Sequence, residues 1–253
     1  MANIHGWIKD KRDERDFLIR AVKPELIPDK IDLSEHLPTV RNQGNQGSCV
    51  GYGIGGIVTG KAIQVKVFKE WFSPRWIYYG GRFLGGYVHE DCGTEPRLAL
   101  DWLIKYGCAL ESVWKYQERF DPEPPTQTVF NEAKKYPLFS YTRVVDGVDG
   151  ICTALSLGSL VAIGSPWFSK WITTDDNGKL KTIYCWDSIA GGHETLLYGY
   201  DKTTEYYNGL NSWGSKWGNE GRFLMPFSAI TQFKKKTRGG YDSHTISVDW
   251  MKV

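Results

Sequence analysis

The 253-residue sequence has no run of about 18 apolar residues, which excludes a helical membrane span. Its first residues, Met1-Ala2-Asn3-Ile4-His5-Gly6, lack the apolar core that a signal peptide needs, so no export route is expected. Net charge is also scarce. Thirty-one Lys and Arg stand against 29 Asp and Glu, a formal +2, which points neither to nucleic acid nor to a membrane surface as a partner. The densest basic run, Lys234-Lys235-Lys236, reads as a solvated loop. Cysteine is sparse and odd in number: five, at 49, 92, 108, 152 and 185, with no C-x-x-C pair. At least one thiol is therefore free, and a reducing compartment such as the cytoplasm is favoured.

What the chain does have is length enough for a sizeable core, in one large domain or two lobes, and abundant aromatics, 11 Trp and 14 Tyr. Lys9 to Asp16 is an unbroken run of charges. Eight charged residues are costly to bury, so residues 1–26 read as an extension outside the core and 27–253 as the domain proper. A helix is expected from Cys49 to Val67 despite five glycines, each costing roughly 1 kcal/mol against alanine, so it must be buried and closely packed. A second begins at Ser73-Pro74, an N-cap followed by a first-position proline. A third runs from Glu95 to Tyr106, burying Leu98, Trp102 and Leu103, and stops at Gly107. After the proline-rich connection 121–126, a helix is expected over Ile151 to Leu157. Strands are expected at Leu160–Ile163, Thr182–Tyr184, Thr195–Tyr200, Gly221–Met225 and Thr245–Val248. Helices first and antiparallel strands second predict an α+β chain with a helical lobe near 45–120 and a β-rich lobe over 121–253.

Three residues carry chemistry in this frame. Cys49 opens a helix, whose positive N-terminal end stabilises a thiolate. His193 opens a strand after Gly191-Gly192 and can exchange a proton with that thiol and with a leaving amine. Asn211 precedes a Trp-Gly turn, and its carbonyl oxygen can hold one imidazole nitrogen. The Cys49 N–H and a glutamine amide would serve as oxyanion donors. Taken singly, such residues are more often structural.

The segment Val40-Arg41-Asn42-Gln43-Gly44-Asn45-Gln46-Gly47-Ser48-Cys49 resembles the V-K-N-Q-G-x-C-G-S-C block of the papain family of cysteine proteases. Gly191-Gly192-His193, followed by Leu196-Leu197-Tyr198-Gly199-Tyr200, is similar to the family's histidine strand. Asn211-Ser212-Trp213-Gly214-Ser215-Lys216-Trp217-Gly218-Asn219-Glu220-Gly221 matches N-S-W-G-x-x-W-G-x-x-G, the most specific of the three. The resemblance implies a papain-like fold, a helical lobe and a β-barrel-like lobe with the active-site cleft between them. It also implies a thiol peptidase, with endopeptidase action expected, acting as a monomer on polypeptide substrates without cofactor or metal. Gln43 takes the place of the oxyanion glutamine. Trp213 would shield the Asn211–His193 contact, while Cys92, Gly93 and Gly192 would lie against substrate backbone.

Departures from the family pattern are few. Gln46 replaces a disulfide cysteine and Val50 a tryptophan. Glu194 replaces a small residue where the family shapes its pocket for the side chain next to the cleavage site. It either disfavours bulky apolar groups there and accepts a basic one, or points to solvent. No long pro-region is expected; Gly6 to Phe17 would lie along the surface and limit cleft access. Other readings are weaker. Gly51-Tyr52-Gly53-Ile54-Gly55-Gly56 fits G-x-G-x-x-G but lacks the preceding buried strand of a nucleotide site. His89, Cys92 and Cys108 lack a second paired motif for zinc. A catalytically silent peptide-binding module would usually have lost the cysteine or histidine, and acyl transfer other than proteolysis would use the same groups.

Overall fold

The computed structural model describes residues 5–236 and 241–247. The helical lobe is built from α1 (Cys49–Gln64), α2 (Pro74–Gly85) and α3 (Pro96–Tyr106), joined by the short α4 (Gln127–Ala133) that the sequence did not announce. The Ser73 hydroxyl accepts the Trp76 N–H at 3.1 Å, the capping geometry expected of Ser-Pro at a helix start. α3 stops at Gly107, whose φ of +82° favours glycine. Its buried face is Ala99, Leu100, Trp102 and Leu103; Leu98, expected on that face, is only half buried.

The glycines of α1 are explained by close approach. A Cβ on Gly51 would lie 2.5 Å from the Pro74 carbonyl of α2, and one on Gly60 would strike the Leu160 side chain. The helix is buried on nearly every side, packed between α2 and the sheet, so the backbone cost of its glycines is offset by tight burial.

The second lobe is one eight-stranded sheet. β1 (Leu18–Ile19), β3 (Ser140–Val144), β8 (Asp242–Ser247), β4 (Val161–Phe168), β5 (Ile189–Asp201), β6 (Tyr206–Leu210) and β7 (Arg222–Pro226) pair in that order, with β2 (Lys30–Asp32) joining β5. All pairings but β1–β3 are antiparallel, and the ladder is open rather than closed into a barrel. α5 (Gly147–Ser156) and α6 (Phe227–Lys236) complete the lobe around Trp167, Phe168, Trp171, Tyr207, Phe223 and Phe233.

Several expectations need correcting. Thr182–Tyr184 is not a strand: the Thr182 carbonyl accepts Lys170 Nζ at 2.7 Å and the Tyr184 N–H donates to Asp187 Oδ2 at 2.6 Å, so side chains take the place of a ladder. Lys234–Lys236 belong to the end of α6, not to a loop. The last expected strand lies within β8, with Val248 outside the described residues.

The charged N-terminal run is the largest correction, because part of it is interior. Asp10 Oδ2 lies 2.8 Å from Arg143 Nη2 and 3.0 Å from His244 Nε2. Its Oδ1 accepts the Arg97 N–H at 3.0 Å, and its own N–H donates to Asp242 Oδ2 at 2.8 Å. Asp16 takes Arg97 through both oxygens at 2.6 Å and Arg143 Nε at 2.9 Å. Arg143 Nη1 completes the network on Asp242 at 2.9 Å. Burial raises the Asp10 carboxyl, but His244, the Arg97 N–H and Arg143 outweigh it and hold the group below the ordinary carboxylate value. Buried charge is tolerated here because each ion meets an opposite one with good geometry.

Candidate active site

The cleft between the lobes is spanned by backbone. The Gln43 N–H donates to the Ser212 carbonyl at 2.8 Å, and Asn42 bridges to Trp213, so the approach to α1 and the asparagine block are stitched side by side. α1 then begins at Cys49, whose thiol lies close to the backbone N–H groups of Glu194, Gly6 and Val50. Three elements thus converge on one sulfur: the helix start, β5 one residue beyond His193, and the N-terminal arm.

His193 is fully buried, and its Nε2 lies 2.7 Å from Asn211 Oδ1. The same oxygen accepts the Ser212 N–H at 2.8 Å, which identifies it as the amide carbonyl and makes Nε2 the donor. The neutral imidazole therefore keeps its lone pair on Nδ1, which has no hydrogen-bond partner. Trp213 covers the ring at a centroid distance of 4.7 Å and Trp167 meets it edge-on at 4.9 Å, keeping water from the Asn211 contact.

Gln43 is also interior. Its Nε2 donates to the Gln46 carbonyl at 2.8 Å and its Oε1 accepts the Ser212 hydroxyl at 2.6 Å. The Gln46 carbonyl thus anchors the Gln43 amide. Tyr116 closes the same loop, donating to the Gln43 carbonyl at 2.7 Å and sharing a hydrogen bond with Ser48 at 2.8 Å.

The arm fills this cleft. The Trp7 N–H donates to the Gly192 carbonyl at 3.0 Å; the Thr94 N–H donates to the Gly6 carbonyl at 2.8 Å, and the Ile8 N–H to the Thr94 carbonyl at 3.1 Å. Trp7 is thereby a parallel bridge partner of Thr94, and the segment runs as an extra strand between the lobes. Gly93, at φ +88°, lies so close beneath Gly6 that a Cβ there would strike the Gly6 carbonyl. The His5 ring stands edge-on to His193 at 6.1 Å. No hydrogen bond joins Cys49 to His193 while the arm is in place. Burial pushes the Cys49 thiol up to about 12 and the His193 imidazole down to about 3, so both groups rest neutral.

Of the residues singled out in the sequence, Cys49, His193, Asn211, Gln43, Trp213, Gly192 and Gly93 gather here, whereas the Cys92 side chain is exposed with its sulfur near the Gly93 carbonyl. Glu194 does not point to solvent. It is buried against Gly53 of α1, and burial, then Asp10 and Asp242, raises its carboxyl well above the ordinary value. Thr94 and Trp7 carried no signal in the sequence, and Ser212 was legible only as part of the asparagine block. Among the described residues, no three His, Cys, Asp or Glu side chains are placed to hold a metal ion, and no helix is long and apolar enough to cross a membrane.

The sequence profile of the papain family of cysteine proteases matches residues 27–236. A peptidase C1-like protein of Acanthamoeba polyphaga mimivirus is 29% identical over 255 aligned positions, covering 89% of this chain and 82% of its own length. A cathepsin B-like protein of Giardia intestinalis, CP3, is 26% identical over 231 positions, covering 85% and 74%. Among solved structures, xylellain, a cysteine protease from Xylella fastidiosa, superposes with a TM-score of 0.86 at 27% identity over 97% of this chain and 96% of its own. The helical lobe, the open antiparallel sheet and the cleft that joins them, together with a profile match over most of the sequence, show that this chain belongs to the papain family of cysteine proteases.

Proposed function

We propose that the chain is a cysteine peptidase, with endopeptidase action, that hydrolyses peptide bonds through Cys49 and His193, and that residues 5–8 hold it silent. The observation that carries the reading is the fixed imidazole: Nε2 on Asn211 at 2.7 Å, with the Nδ1 lone pair uncommitted, on the residue before Glu194, whose backbone N–H lies close to the cysteine that opens α1.

With the cleft open to water and substrate, Cys49 transfers its proton to His193 Nδ1, and the helix start supports the resulting thiolate. The sulfur attacks the scissile carbonyl carbon, and the electron pair moves onto the oxygen. That oxyanion is met by the Cys49 N–H and the Gln43 amide. Collapse expels the amine, which takes the proton from imidazolium Nδ1 and leaves a thioester on Cys49. Water, deprotonated by the same nitrogen, then releases the acid and regenerates the thiol. Asn211 keeps Nε2–H engaged throughout, so only Nδ1 exchanges protons.

The arm fits a resting inhibitor because its backbone is tied to both walls of the cleft, to Gly192 through Trp7 and to Thr94 through Gly6 and Ile8.

The test is labelling of the intact chain with a peptidyl epoxide directed at cysteine peptidases, with the adduct located by peptide mass spectrometry. A single adduct on Cys49, faster in Gly6→Ala and lost in His193→Ala, supports both statements. No adduct in a folded Gly6→Ala chain favours the alternative, a catalytically silent peptide-binding module.

A further inference from the structure

β5 turns neighbouring side chains to opposite faces of the sheet. His193 faces Trp167 and Trp213, whereas Glu194 and Leu196 face α1, against Gly53 and Gly56. Glu194 therefore lies across the strand from the imidazole and can reach it only through another residue. Between this part of β5 and α1 is a cavity with about 20 Å³ open to the centre of a water molecule, and Asn211 and Ser212 line its end. That is room for a single water.

Most polar groups around the cavity are already engaged. The Tyr52 hydroxyl donates to the Asn42 carbonyl at 3.2 Å, the Ser212 hydroxyl donates to Gln43 Oε1 at 2.6 Å, and Arg41 pairs with Glu111. Asn211 Oδ1 accepts from both His193 Nε2 and the Ser212 N–H. By contrast, Asn211 Nδ2 and both oxygens of Glu194 are buried without a partner. Leaving such groups unpaired is costly, and an amide donor and a carboxyl acceptor on one water-sized cavity complement each other through a water. The bridge matters because Asn211 serves His193 in one orientation only. With the amide turned over, its NH₂ would face the imidazole N–H, donor against donor. The Ser212 N–H fixes the oxygen end of the amide; an acceptor for Nδ2 would fix the other.

We propose that Glu194 is a positioning residue: through one water in this cavity its carboxyl accepts from Asn211 Nδ2, locks the amide with its oxygen toward His193, and so holds the imidazole for proton transfer. The proposal rests on the peptidase reading for its kinetic consequence alone; the hold on the imidazole can be read without turnover. Burial, with Asp10 and Asp242 nearby, favours the neutral form of the Glu194 carboxyl, which still offers a carbonyl oxygen as acceptor. The chain of contacts therefore runs from Glu194 through water and Asn211 to Nε2, and leaves Nδ1 free for the thiol.

The experiment compares Glu194→Leu, which fills the space without polar atoms, with Glu194→Gln, which keeps a carbonyl oxygen, in the full-length chain. Peptide hydrolysis gives one readout. Proton NMR of the His193 Nε2–H, assigned by its loss in His193→Ala, gives the other. Glu194→Leu should lower kcat about tenfold with KM little changed, and its Nε2–H should exchange with water about tenfold faster. Urea unfolding should show that variant at least as stable as wild type, because a buried unpaired carboxyl has gone. Glu194→Gln should recover most of both losses. Glu194→Met serves in place of leucine should that variant fold poorly. A folded apolar variant with unchanged kcat and unchanged Nε2–H exchange, a loss carried by KM alone, or a loss that glutamine does not recover overturns the proposal. Nε2–H exchange that depends on Glu194 in a chain that takes no epoxide label would keep the positioning role and sink the peptidase reading; labelling and turnover without that dependence would do the reverse.

Discussion

The backbone N–H of Trp7 donates to the Gly192 carbonyl at 3.0 Å, one residue before the histidine of the site. A second polypeptide that is to use that carbonyl must first displace residues 5–8. Substrate entry and arm departure are therefore a single exchange of backbone hydrogen bonds.

Gly6→Ala should shift that exchange outward. A Cβ at this position would collide with the Gly47 carbonyl, so the arm cannot seat as it does now. The open fraction sets the apparent rate at low substrate, and losing one such contact should raise initial hydrolysis of a peptide substrate on the order of tenfold. An unchanged rate would mean that the arm does not limit access.

Asn211→Ala should lower kcat on the order of 10²-fold while changing KM little, because it frees the imidazole to rotate and to change tautomer without touching bound substrate. The check is a kinetic comparison with Asn211→Gln, whose longer side chain keeps the carbonyl but misplaces it. Equal kcat in wild type and Asn211→Ala would remove the residue from the mechanism.

Arg143→Leu leaves Asp10, Asp16 and Asp242 facing one another without their shared cation. Removing one partner from a buried ionic cluster typically costs about 3–5 kcal/mol, and urea unfolding should report a loss of that size. The same variant should hydrolyse peptide faster per folded molecule. A stable variant with unchanged activity would show that the cluster neither supports the fold nor fastens the arm.

Acid should release the arm. Asp10 and Asp16 both titrate below the ordinary carboxyl value in the folded chain, so the stability they contribute is present above about pH 4 and falls away as pH drops through their lowered values. Asp242 and Glu194 are raised, so their ionisation costs stability as pH rises and that cost is relieved by acid; both belong to the body, not to the arm. His193, buried with its imidazole held down to about 3, costs the body stability as pH falls below about 6.5, whereas the arm's carboxylates let go only below about pH 4. Hydrogen exchange followed by mass spectrometry should therefore show residues 5–16 opening beyond the change in the body as pH drops below about 4, after correction for intrinsic exchange. Uniform opening of the whole chain would contradict a local release.

Much of this molecule was legible in local chemistry. Ser73-Pro74 started a helix and Gly107 ended one because capping depends on neighbours a few residues apart. The glycine-rich α1 was readable as a closely packed helix, though the carbonyl it packs against, that of Pro74, was not. The cysteine, histidine and asparagine blocks were visible as motifs, and the structure brings the three together. What escaped was set by distant partners. Asp10 looked like a solvated charge because Arg143, Asp242 and His244, which make its burial tolerable, lie more than a hundred residues away. Thr182–Tyr184 had the β-branched and aromatic content of a strand, yet Lys170 and Asp187 claim its polar backbone groups. The place of Trp7 could not be read either, since the glycines it packs on, Gly164 and Gly192, belong to two different strands.

The Asp10–Asp242 hydrogen bond joins residues 232 positions apart and has a consequence for the order of assembly. A chain emerges from the ribosome from its N-terminus, so the arm exists long before β8 does. Cys49, His193 and Asn211 are all synthesised before Asp242 and His244. The clasp that seats the arm can thus close only when β8 enters between β3 and β4, and until then a nascent molecule carries its cysteine, histidine and asparagine without a fastened arm.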